Sequence, residues 1–309
     1  MMKIDLVYLW VDGSDPQWVA RKNAFFGNTV VPDTGVHCKG RFFNNGELKY
    51  SLRSMEKYAP WINKVFVVTD GQIPDWLELS NPKIQIVDHT EIMPKEALPC
   101  YNPLLIEHFL YKIEGLSEYF LFANDDMFFN ADVQPDFFFA KDGCPIVRLK
   151  YKMFAKIKRR KYEPTRGQSI LNAAYLVEKR FGKFYLEDAH HNIDAYRKSD
   201  CRDVVEKIFK EEIAQTIEHH IRSPKDIQRI IYSYYALAVK HARLRYVGFV
   251  GRKESCVIGV CKTDYDHYFR CYRIKLFCMN DGESETDSDR MRAKAFLEKH
   301  FPDKSSFEK

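Results

Sequence analysis

The feature that most constrains the fold of this chain is a regular alternation of strand and helix signals along its first half. Branched and aromatic apolar runs, each stopped by a polar turn, predict four strands: 4–11, 64–69, 83–88 and 119–123. Apolar residues at helical spacing predict two helices between them: 46–58, capped by Asn45, and 103–113, which opens with a proline. This alternation is typical of an α/β fold with an open, mostly parallel sheet and helices on both faces.

An acidic turn follows three of these predicted strands. The turns are Asp12-Gly13-Ser14-Asp15, Asp70-Gly71 and Asn124-Asp125-Asp126. The carboxyl ends of parallel strands lie at one edge of a sheet, and ligands of open α/β sheets bind there. We therefore expect the three turns to meet in one site, with Asp70 among the groups that contact substrate.

Asp125 and Asp126 are the main candidates for chemistry, because two adjacent carboxylates follow a strongly apolar strand. One or both can bind a divalent cation that neutralises a diphosphate, or one can act as a general base toward an acceptor hydroxyl. The alternative is that they only start the next turn, where Asp is common.

Two interpretations also stay open for Asp12 and Asp15: contact with a nucleotide, or, for Asp15, a helix cap.

The second half of the chain has a different pattern, beginning with a basic run at 148–162. Four helical patterns follow: 167–181, 190–198, 201–214 and 224–241. Residues 246–278 are rich in strand-forming residues, and a final helix is predicted near 290–300. We expect an α/β core over 1–147 and a helix-rich elaboration over 148–309 that completes the active site within one compact unit.

Several groups in the second half are candidates for binding anions. His190 and His191 lie among acidic residues, which suits a phosphate- or metal-facing role as well as a structural one. Arg222 can fork onto phosphate oxygens or pair with a surface carboxylate. The basic stretch 150–161 includes apolar residues; it is either a solvated face or a surface for anionic membrane lipid or an anionic glycan.

Charge and hydropathy narrow the class of function. The formal net charge is +5, and no nucleic-acid-binding signature is present, so nucleic acid is not an expected partner. The N-terminal apolar run is too short and too acidic for a signal peptide, and no stretch approaches the ~20 apolar residues of a transmembrane helix. These observations predict a cytoplasmic chain, with peripheral contact at the inner face of the cell membrane if 150–161 binds lipid.

Four blocks of the sequence together resemble one known family. They are IDLVYLWVDGSD at 4–15, a long block at 41–129 that begins RFFNNGELKYSLRSMEKY and includes LFANDDMFF, AHHN with IRSPKDIQ within 188–240, and FCMND at 277–281. They are similar to the Stealth family, the sugar-1-phosphate transferases of bacterial capsular polysaccharide synthesis. The catalytic part of the animal lysosomal-enzyme GlcNAc-1-phosphotransferase belongs to the same family.

The resemblance implies a fold, a reaction and a cofactor. The fold is that of the nucleotide-sugar transferases, GT-A-like. An acceptor glycan hydroxyl attacks the phosphorus next to the sugar of a nucleotide-diphosphate sugar such as UDP-GlcNAc, so that a phosphodiester forms and the nucleoside monophosphate leaves. Positioning and charge stabilisation dominate such phosphoryl chemistry. Mg²⁺ or Mn²⁺ is the implied cofactor.

The resemblance also implies roles for single residues. The matches to catalytic positions are Asp125, Asp126, His190 and Arg222. The matches expected to bind substrate, or to support that site, are Asp12, Gly13, Asp15, Arg41, Asn45, Glu47, Arg53 and Asn280. Asp126 and Asp281 are the expected metal ligands. Asn172 stands near the position of an arginine in the animal enzyme, and we expect it to contact substrate.

The chain departs from the family pattern in its third block. His190-His191-Asn192 stands where the family usually has a histidine, a small residue and a proline, so either histidine can be the one that acts. No arginine occupies the position near Asn172, although Arg166 is close.

Two other functions of the chain stay open. One is a metal-dependent glycosyltransferase, which releases the nucleoside diphosphate; the other is a non-catalytic scaffold that binds glycan or membrane.

Overall fold

The computed structural model describes residues 2–27, 42–151, 165–185, 187–247, 254–271 and 273–309. Within these ranges the strands are β1 Ile4–Leu9, β2 Val65–Thr69, β3 Ile84–Asp88, β4 Tyr119–Asn124, β5 Met127–Phe129, β6 Ile146–Lys150, β7 Asp194–Arg197, β8 Arg243–Val247, β9 Ser255–Gly259 and β10 Leu276–Asn280. The α-helices are α1 Pro16–Phe26, α2 Glu47–Tyr58, α3 His89–Ile92, α4 Pro103–Ile106, α5 Thr165–Phe181, α6 Lys198–Asp203, α7 Lys210–Ala214, α8 Ile230–Ala238, α9 Asp266–Cys271 and α10 Asp287–His300. Short 3₁₀ segments cover Lys95–Ala97, Glu107–Lys112 and Pro135–Phe137, and a π-helical turn covers Val204–Ile208.

The largest sheet has the strand order β3-β2-β1-β4-β7. Strand β1 pairs in parallel with β2 and β4, and β2 with β3, while β7 runs antiparallel to β4. Side chains of β1 alternate between two cores: Val7 packs with residues of α5 and α8, whereas Leu6 and Tyr8 pack with residues of α2. The prediction of an open, mostly parallel sheet with helices on both faces is confirmed.

The core elements follow from their residue patterns. Strand β2 is buried along its whole length, which explains its unbroken apolar run VFVVT. Helix α2 places Leu48, Leu52 and Met55 on one buried face at helical spacing. The predicted cap Asn45 is wrong, because Gly46 is the N-cap residue, with a φ of 83° that favours glycine.

The helix predicted over 190–198 is wrong for most of its length. Residues Asp194–Arg197 form β7, which pairs with the open edge of β4, and α6 begins only at Lys198. Pairing with an open strand edge satisfies the backbone better than the local helical spacing does. The helix predicted over 224–241 is shorter, and begins only at Ile230.

The two halves of the chain are interleaved. Strand β10 pairs antiparallel with β5 and parallel with β9, so the FCMND block lies beside the strand that follows Asp126. The predicted boundary between residues 147 and 148 falls inside β6, which pairs with β8. The second half therefore builds directly onto the elements that carry the acidic turns.

Within the described ranges, no helix combines the length and the apolar character that crossing a bilayer requires.

Candidate active site

A cavity of about 170 Å³ opens at the carboxyl ends of β1, β2 and β4. Trp10 after β1, Val68 in β2 and Asn124 at the end of β4 all form part of its wall. Six predicted site residues line it: Glu47, Asp70, Asp125, Asp126, Arg222 and Asp281. The structure thus brings together the acidic turns that follow β2 and β4, while Asp12 is not among the lining residues.

Three carboxyl groups repel one another in this wall. Burial raises the pKa of Asp125 well above its ordinary value, and the nearby Glu47 and Asp126 raise it further. Burial also raises the pKa of Glu47 to about 7, and Asp126 adds to the rise, although hydrogen bonds from Asn45 oppose it. The Cys278 thiol donates to Asp126 Oδ2 at 3.3 Å. Carboxyl groups with mutually raised pKa values are typical of catalytic and cation-binding sites.

The start of α2 fixes Glu47 in this cluster. The backbone N–H and the side-chain Nδ2 of Asn45 donate to the two carboxylate oxygens of Glu47, both at 2.7 Å. The side chain of Asn44 in turn accepts from the backbone N–H of Gly46 at 3.0 Å. Asn45, which we expected at the substrate, therefore lies behind the wall and orients Glu47.

Arg222 brings positive charge to the same wall, from the segment before α8. Asn172 of α5 holds this segment: its Nδ2 donates to the carbonyl oxygens of Pro224 and Asp226, both at 2.9 Å. The carboxylate of Asp226 accepts from Asn102 Nδ2 at 2.9 Å, which fixes the segment from its other side. Both of these bonds anchor the Arg222 segment, and the substrate contact expected for Asn172 stays a prediction.

The turn after β1 supports the wall from behind. Asp15 caps α1, and the Gln72 side chain donates both to the Asp15 carboxylate and to the Asp12 carbonyl oxygen, at 2.9 Å each. This hydrogen bond from Gln72 lowers the pKa of Asp15. A Cβ on Gly13 would come within 2.3 Å of the Phe42 carbonyl oxygen, so only glycine allows the approach. Gly13 thus holds Phe42, which itself lines the cavity, whereas Asp12 and Asp15 are tied to Gln72.

His190 lies behind the cavity and not in its wall. The residue is 3% exposed, with Nδ1 2.8 Å from Ser255 Oγ and Nε2 3.2 Å from Asp194 Oδ1. Asp194 also pairs with Arg229 at 3.2 Å, and Arg229 pairs with Glu107 at 3.0 Å. Both ring nitrogens of His190 therefore face other side chains, and the catalytic role expected for His190 stays a prediction.

Four further predictions concern residues away from the cavity wall or beyond the described residues. The guanidinium of Arg53 forks onto the carboxylate of Glu308 at 2.8 and 2.7 Å, so it ties α2 to the C-terminal segment. Asn280 ends β10 beside the cavity but is not a lining residue. Arg41 lies outside the described residues, and so does the basic stretch 150–161 beyond Tyr151.

The two predicted metal ligands differ in their surroundings. Arg290 binds both carboxylate oxygens of Asp281, at 2.7 and 3.1 Å, so the charge of Asp281 is already compensated. In the described part of the chain, no three or more His, Cys, Asp or Glu side chains are grouped as a metal cage. Mg²⁺ does not require one, because one or two carboxylates with substrate phosphates and water commonly hold it. The oxygens of Asp125 and Asp126 fit this mode better than those of Asp281.

The sequence patterns did not predict that Trp18, His89 and Tyr101 line the cavity. His89 begins α3 immediately after β3, so its position at a strand end was a usable signal. Tyr101 gave no such signal: it lies in an irregular segment and reaches the wall by packing against Trp18, with ring centroids 5.5 Å apart.

Several polysaccharide phosphotransferases are similar to this chain over nearly its whole length. An exopolysaccharide phosphotransferase of Lactiplantibacillus plantarum is 32% identical over 99% of this chain and 96% of its own length. A capsular polysaccharide phosphotransferase of Streptococcus pneumoniae is 29% identical over the full length of both chains. An exopolysaccharide phosphotransferase of Streptomyces coelicolor is 33% identical over 99% of this chain, which spans 52% of that longer relative.

The solved structure of the galactosyltransferase LgtC, with donor and acceptor sugar analogues, shows a weak likeness to this chain. Its TM-score is 0.48 and its identity is 10%, over 98% of this chain and 96% of its own, and these values are too low to bear on the site.

Two regions of the chain also match a family description. Residues 2–29 match Stealth protein conserved region 1, and residues 41–147 match conserved region 2. With these two regions and its full-length relatives, the chain belongs to the Stealth family, alongside the exopolysaccharide and capsular polysaccharide phosphotransferases.

Proposed function

We propose that the protein transfers sugar 1-phosphate from a nucleotide-diphosphate sugar to a glycan hydroxyl, in the synthesis of a capsular or other cell-surface polysaccharide. The observation that carries the proposal is the cluster of Glu47, Asp125 and Asp126 in one cavity with Arg222, at the carboxyl ends of parallel strands. The names of the relatives, which are exopolysaccharide and capsular polysaccharide phosphotransferases, support it.

The reaction needs one bond to form and one to break at phosphorus. The acceptor oxygen bonds to the phosphorus that carries the sugar, and the bond from this phosphorus to the oxygen bridging the two phosphates breaks. The electron pair leaves with the nucleoside monophosphate, and the hydroxyl proton passes to a base. The sugar keeps its bond to oxygen throughout, so the product is a phosphodiester.

The cavity offers a group for each of these tasks. A general base works best when its pKa lies near the working pH, which suits Glu47, with a pKa of about 7, and Asp125, whose pKa is also raised. The guanidinium of Arg222 can fork onto phosphate oxygens and compensate their charge. Asp125 and Asp126 are the residues that would hold Mg²⁺ or Mn²⁺, which when bound neutralises a diphosphate and its developing charge.

The experiment that tests this proposal identifies the nucleotide released. The protein is incubated with UDP-GlcNAc, Mg²⁺ and a capsule-type oligosaccharide, and nucleoside mono- and diphosphates are separated by chromatography. Release of UMP, with a phosphodiester signal in phosphorus NMR, is the expected result. Release of UDP would instead establish a glycosyltransferase, the second candidate, which the same carboxyl cluster suits. No turnover with any of a panel of nucleotide sugars would favour a non-catalytic scaffold.

Metal dependence is tested in the same assay. Removal of divalent ions with EDTA is expected to abolish transfer, and Mg²⁺ or Mn²⁺ to restore it, because the diphosphate and the carboxyl cluster repel each other without a cation. Full activity in EDTA would show that Arg222 and other protein groups suffice to compensate the charge.

A further inference from the structure

The face of α2 that carries Glu47 also carries two buried serines. Ser51 follows Glu47 by four residues and Ser54 follows it by seven, so the three side chains lie along one side of the helix. Ser51 and Ser54 are both 0% exposed. Two hydroxyl groups at this depth need hydrogen-bond partners, because buried polar atoms in folded proteins are nearly always paired.

Both hydroxyl groups bond to the backbone of β5, the strand that begins directly after Asp126. Ser51 Oγ donates to the carbonyl oxygen of Met127 at 2.5 Å. Ser54 Oγ accepts from the backbone N–H of Phe129 at 3.0 Å, and its own proton goes to the Ser51 carbonyl oxygen at 2.7 Å. Each serine therefore joins α2 to β5 through one hydrogen bond.

Strand β5 offers these backbone groups because it is an outer strand of its sheet. The order of the three-stranded sheet is β5-β10-β9, so β10 pairs with one edge of β5 and leaves the other edge to α2. The Met127 carbonyl and the Phe129 N–H lie on that second edge, and both residues are buried. The serine hydroxyls thus take the place of a further strand and satisfy groups that would otherwise be costly to bury.

A third segment holds Ser51 in this position. The Tyr8 hydroxyl of β1 lies 2.8 Å from Ser51 Oγ. The single proton of the Ser51 hydroxyl goes to Met127, so Tyr8 is the donor in this bond. Burial raises the pKa of Tyr8, which therefore keeps its proton. Ser51 cannot turn away from β5 without breaking two buried hydrogen bonds.

We propose that Ser51 and Ser54 are positioning residues of the transfer reaction, which hold Glu47 against the acidic pair by fixing α2 along β5. The acidic pair, Asp125 and Asp126, lies directly before β5, whereas Glu47 lies at the start of α2. Hydrogen bonds are directional, so they set the position of the helix along the strand more closely than apolar packing does. This inference rests on the proposed function, because it assigns these serines to the geometry of the same carboxyl cluster.

The charges around Glu47 explain why the helix needs such an anchor. Asp126 and burial both raise the pKa of Glu47, because the two carboxyl groups repel each other when charged. Asn45 holds the Glu47 carboxylate from the start of the same helix and so does not tie it to the acidic pair. The two serine bonds supply this tie. The other titratable or charged groups in the cavity wall are Asp70, His89, Arg222 and Asp281.

Transfer kinetics of Ser51→Ala and Ser54→Ala provide the first test. Each substitution removes one hydrogen bond between α2 and β5. We expect kcat to fall about tenfold and the KM for the donor to change by less than about twofold, because Glu47 is displaced while Arg222 keeps its place. If Ser51→Ala fails to fold, Ser54→Ala decides the question, because it leaves both bonds of the Ser51 hydroxyl intact.

Tyr234→Phe is the matched control. It also removes a buried hydroxyl that donates to a backbone carbonyl, that of Glu187 at 2.8 Å, but Tyr234 is not among the residues that line the cavity. It should lower stability and keep the wild-type kcat. The same outcome for both serine variants would show that the serines only stabilise the fold, and would overturn the inference.

A double-mutant cycle shows whether the serines act through Glu47. Glu47→Gln and Ser54→Ala are made singly and together; the two positions are seven residues apart on α2, or ~10 Å. Effects at such a distance usually add when the sites are independent. We expect Ser54→Ala to lower kcat by less than about twofold when Glu47 is already an amide. An equal loss of kcat in both backgrounds would overturn the inference.

The same cycle is also measured without substrate, by urea unfolding at pH 8 in EDTA. Glu47→Gln relieves the repulsion of the acidic pair, and this gain should be smaller once Ser54→Ala has let the carboxyl groups separate. The hydrogen bond from Asn45 that the amide loses is common to both backgrounds, so it cancels. Equal shifts of the urea midpoint in both backgrounds would overturn the inference, even where transfer by Glu47→Gln is too slow to measure.

The two sets of measurements separate the inference from the proposed function. Wild-type transfer with additive effects in the cycle would leave the proposed function standing and remove only the role of the serines. Absence of transfer from every donor would remove the proposed function, whereas the urea cycle would still decide whether the serines hold Glu47 against the acidic pair.

Discussion

At the scale of single residues, the chain keeps carboxyl groups together although their repulsion costs stability. Glu47 and Asp125 have raised pKa values because each is buried and each faces another carboxyl group. Uncharged side chains of the same shape would avoid this repulsion, so we infer that the carboxyl groups are kept together for function. A substitution in the cluster is therefore expected to change activity and stability to different extents.

Asp125→Asn and Asp126→Asn test the acidic pair. Each substitution keeps the shape of the side chain and removes the charge that holds a proton or a cation, so we expect sugar-phosphate transfer to fall at least about 100-fold. Transfer rates with a saturating donor provide the measurement, and Asp303→Asn, in an exposed loop, is the matched control. Unchanged activity in both pair variants would show that the turn has only a structural role.

Glu47→Gln tests the account of the cluster through the pH dependence of stability. Burial and Asp126 raise the pKa of Glu47 from 4.5 to about 7, so between these pH values the folded chain keeps a proton that the unfolded chain has lost, and wild-type stability falls as the pH rises. The amide does not titrate, so the variant should show a smaller fall over this range, although one of the two hydrogen bonds that Asn45 donates to Glu47 is lost. Transfer activity should also fall. Urea unfolding in EDTA at pH 5 and pH 8 measures the change in stability, and an identical fall in both proteins would contradict the account of the cluster.

At the scale of elements, β1, β2 and β4 could be predicted because each is buried along most of its length. Strand β2 therefore appears in the sequence as an uninterrupted apolar run, and the acids that follow β2 and β4 are recognisable as strand ends. Strand β7 could not be predicted, since its ladder is supplied by the open edge of β4 and not by its own pattern. For the same reason Tyr101 was missed: its place in the wall depends on packing across the fold.

The segment before α8 carries the site residue Arg222, and its anchor can be tested. Asn172→Ala removes two hydrogen bonds that hold the Arg222 segment. We expect the KM for the donor to rise about tenfold and kcat to change less, because a loosened Arg222 binds phosphate poorly in the ground state.

Asn130→Ala is the matched control for this variant. Asn130 also donates to a backbone carbonyl, that of Ile274, but it is not among the residues that line the cavity. It should lower stability and leave the KM for the donor unchanged. A KM for Asn172→Ala equal to that of the wild type would show that Arg222 does not depend on this anchor.

At the scale of the whole molecule, the fold is one interleaved structure in which buried polar groups join distant segments. Glu308 pairs with Arg53 of α2, and Arg229 joins Glu107 to Asp194 of β7. Composition and spacing could not predict these links, since each joins residues far apart in sequence. They join segments on the two sides of the predicted boundary at residue 147, which lies within β6.

His108 makes the stability of the whole fold depend on pH. It is buried between the Tyr232 hydroxyl and the Ile227 carbonyl oxygen, and burial lowers its pKa from 6.5 to about 4. The unfolded chain therefore binds a proton that the folded chain rejects, and stability falls as the pH drops from about 6.5 toward 4, by up to roughly 3 kcal/mol from this group. His108→Gln, which keeps a donor and an acceptor but does not titrate, should show a smaller fall in unfolding free energy between pH 7 and pH 5. An identical fall in both proteins would contradict this assignment.

The most direct test of the central claim follows the oxygen that joins the sugar to phosphorus. A nucleotide-diphosphate sugar labelled with oxygen-18 at this bridge is turned over with a glycan acceptor, and the products are analysed by phosphorus NMR for the isotope shift. Sugar-1-phosphate transfer leaves the sugar–oxygen bond intact, so the account predicts the label in the phosphodiester product and none in the released nucleotide. Label recovered in a released nucleoside diphosphate would mean that the bond to the anomeric carbon breaks, and would contradict phosphoryl transfer at this site.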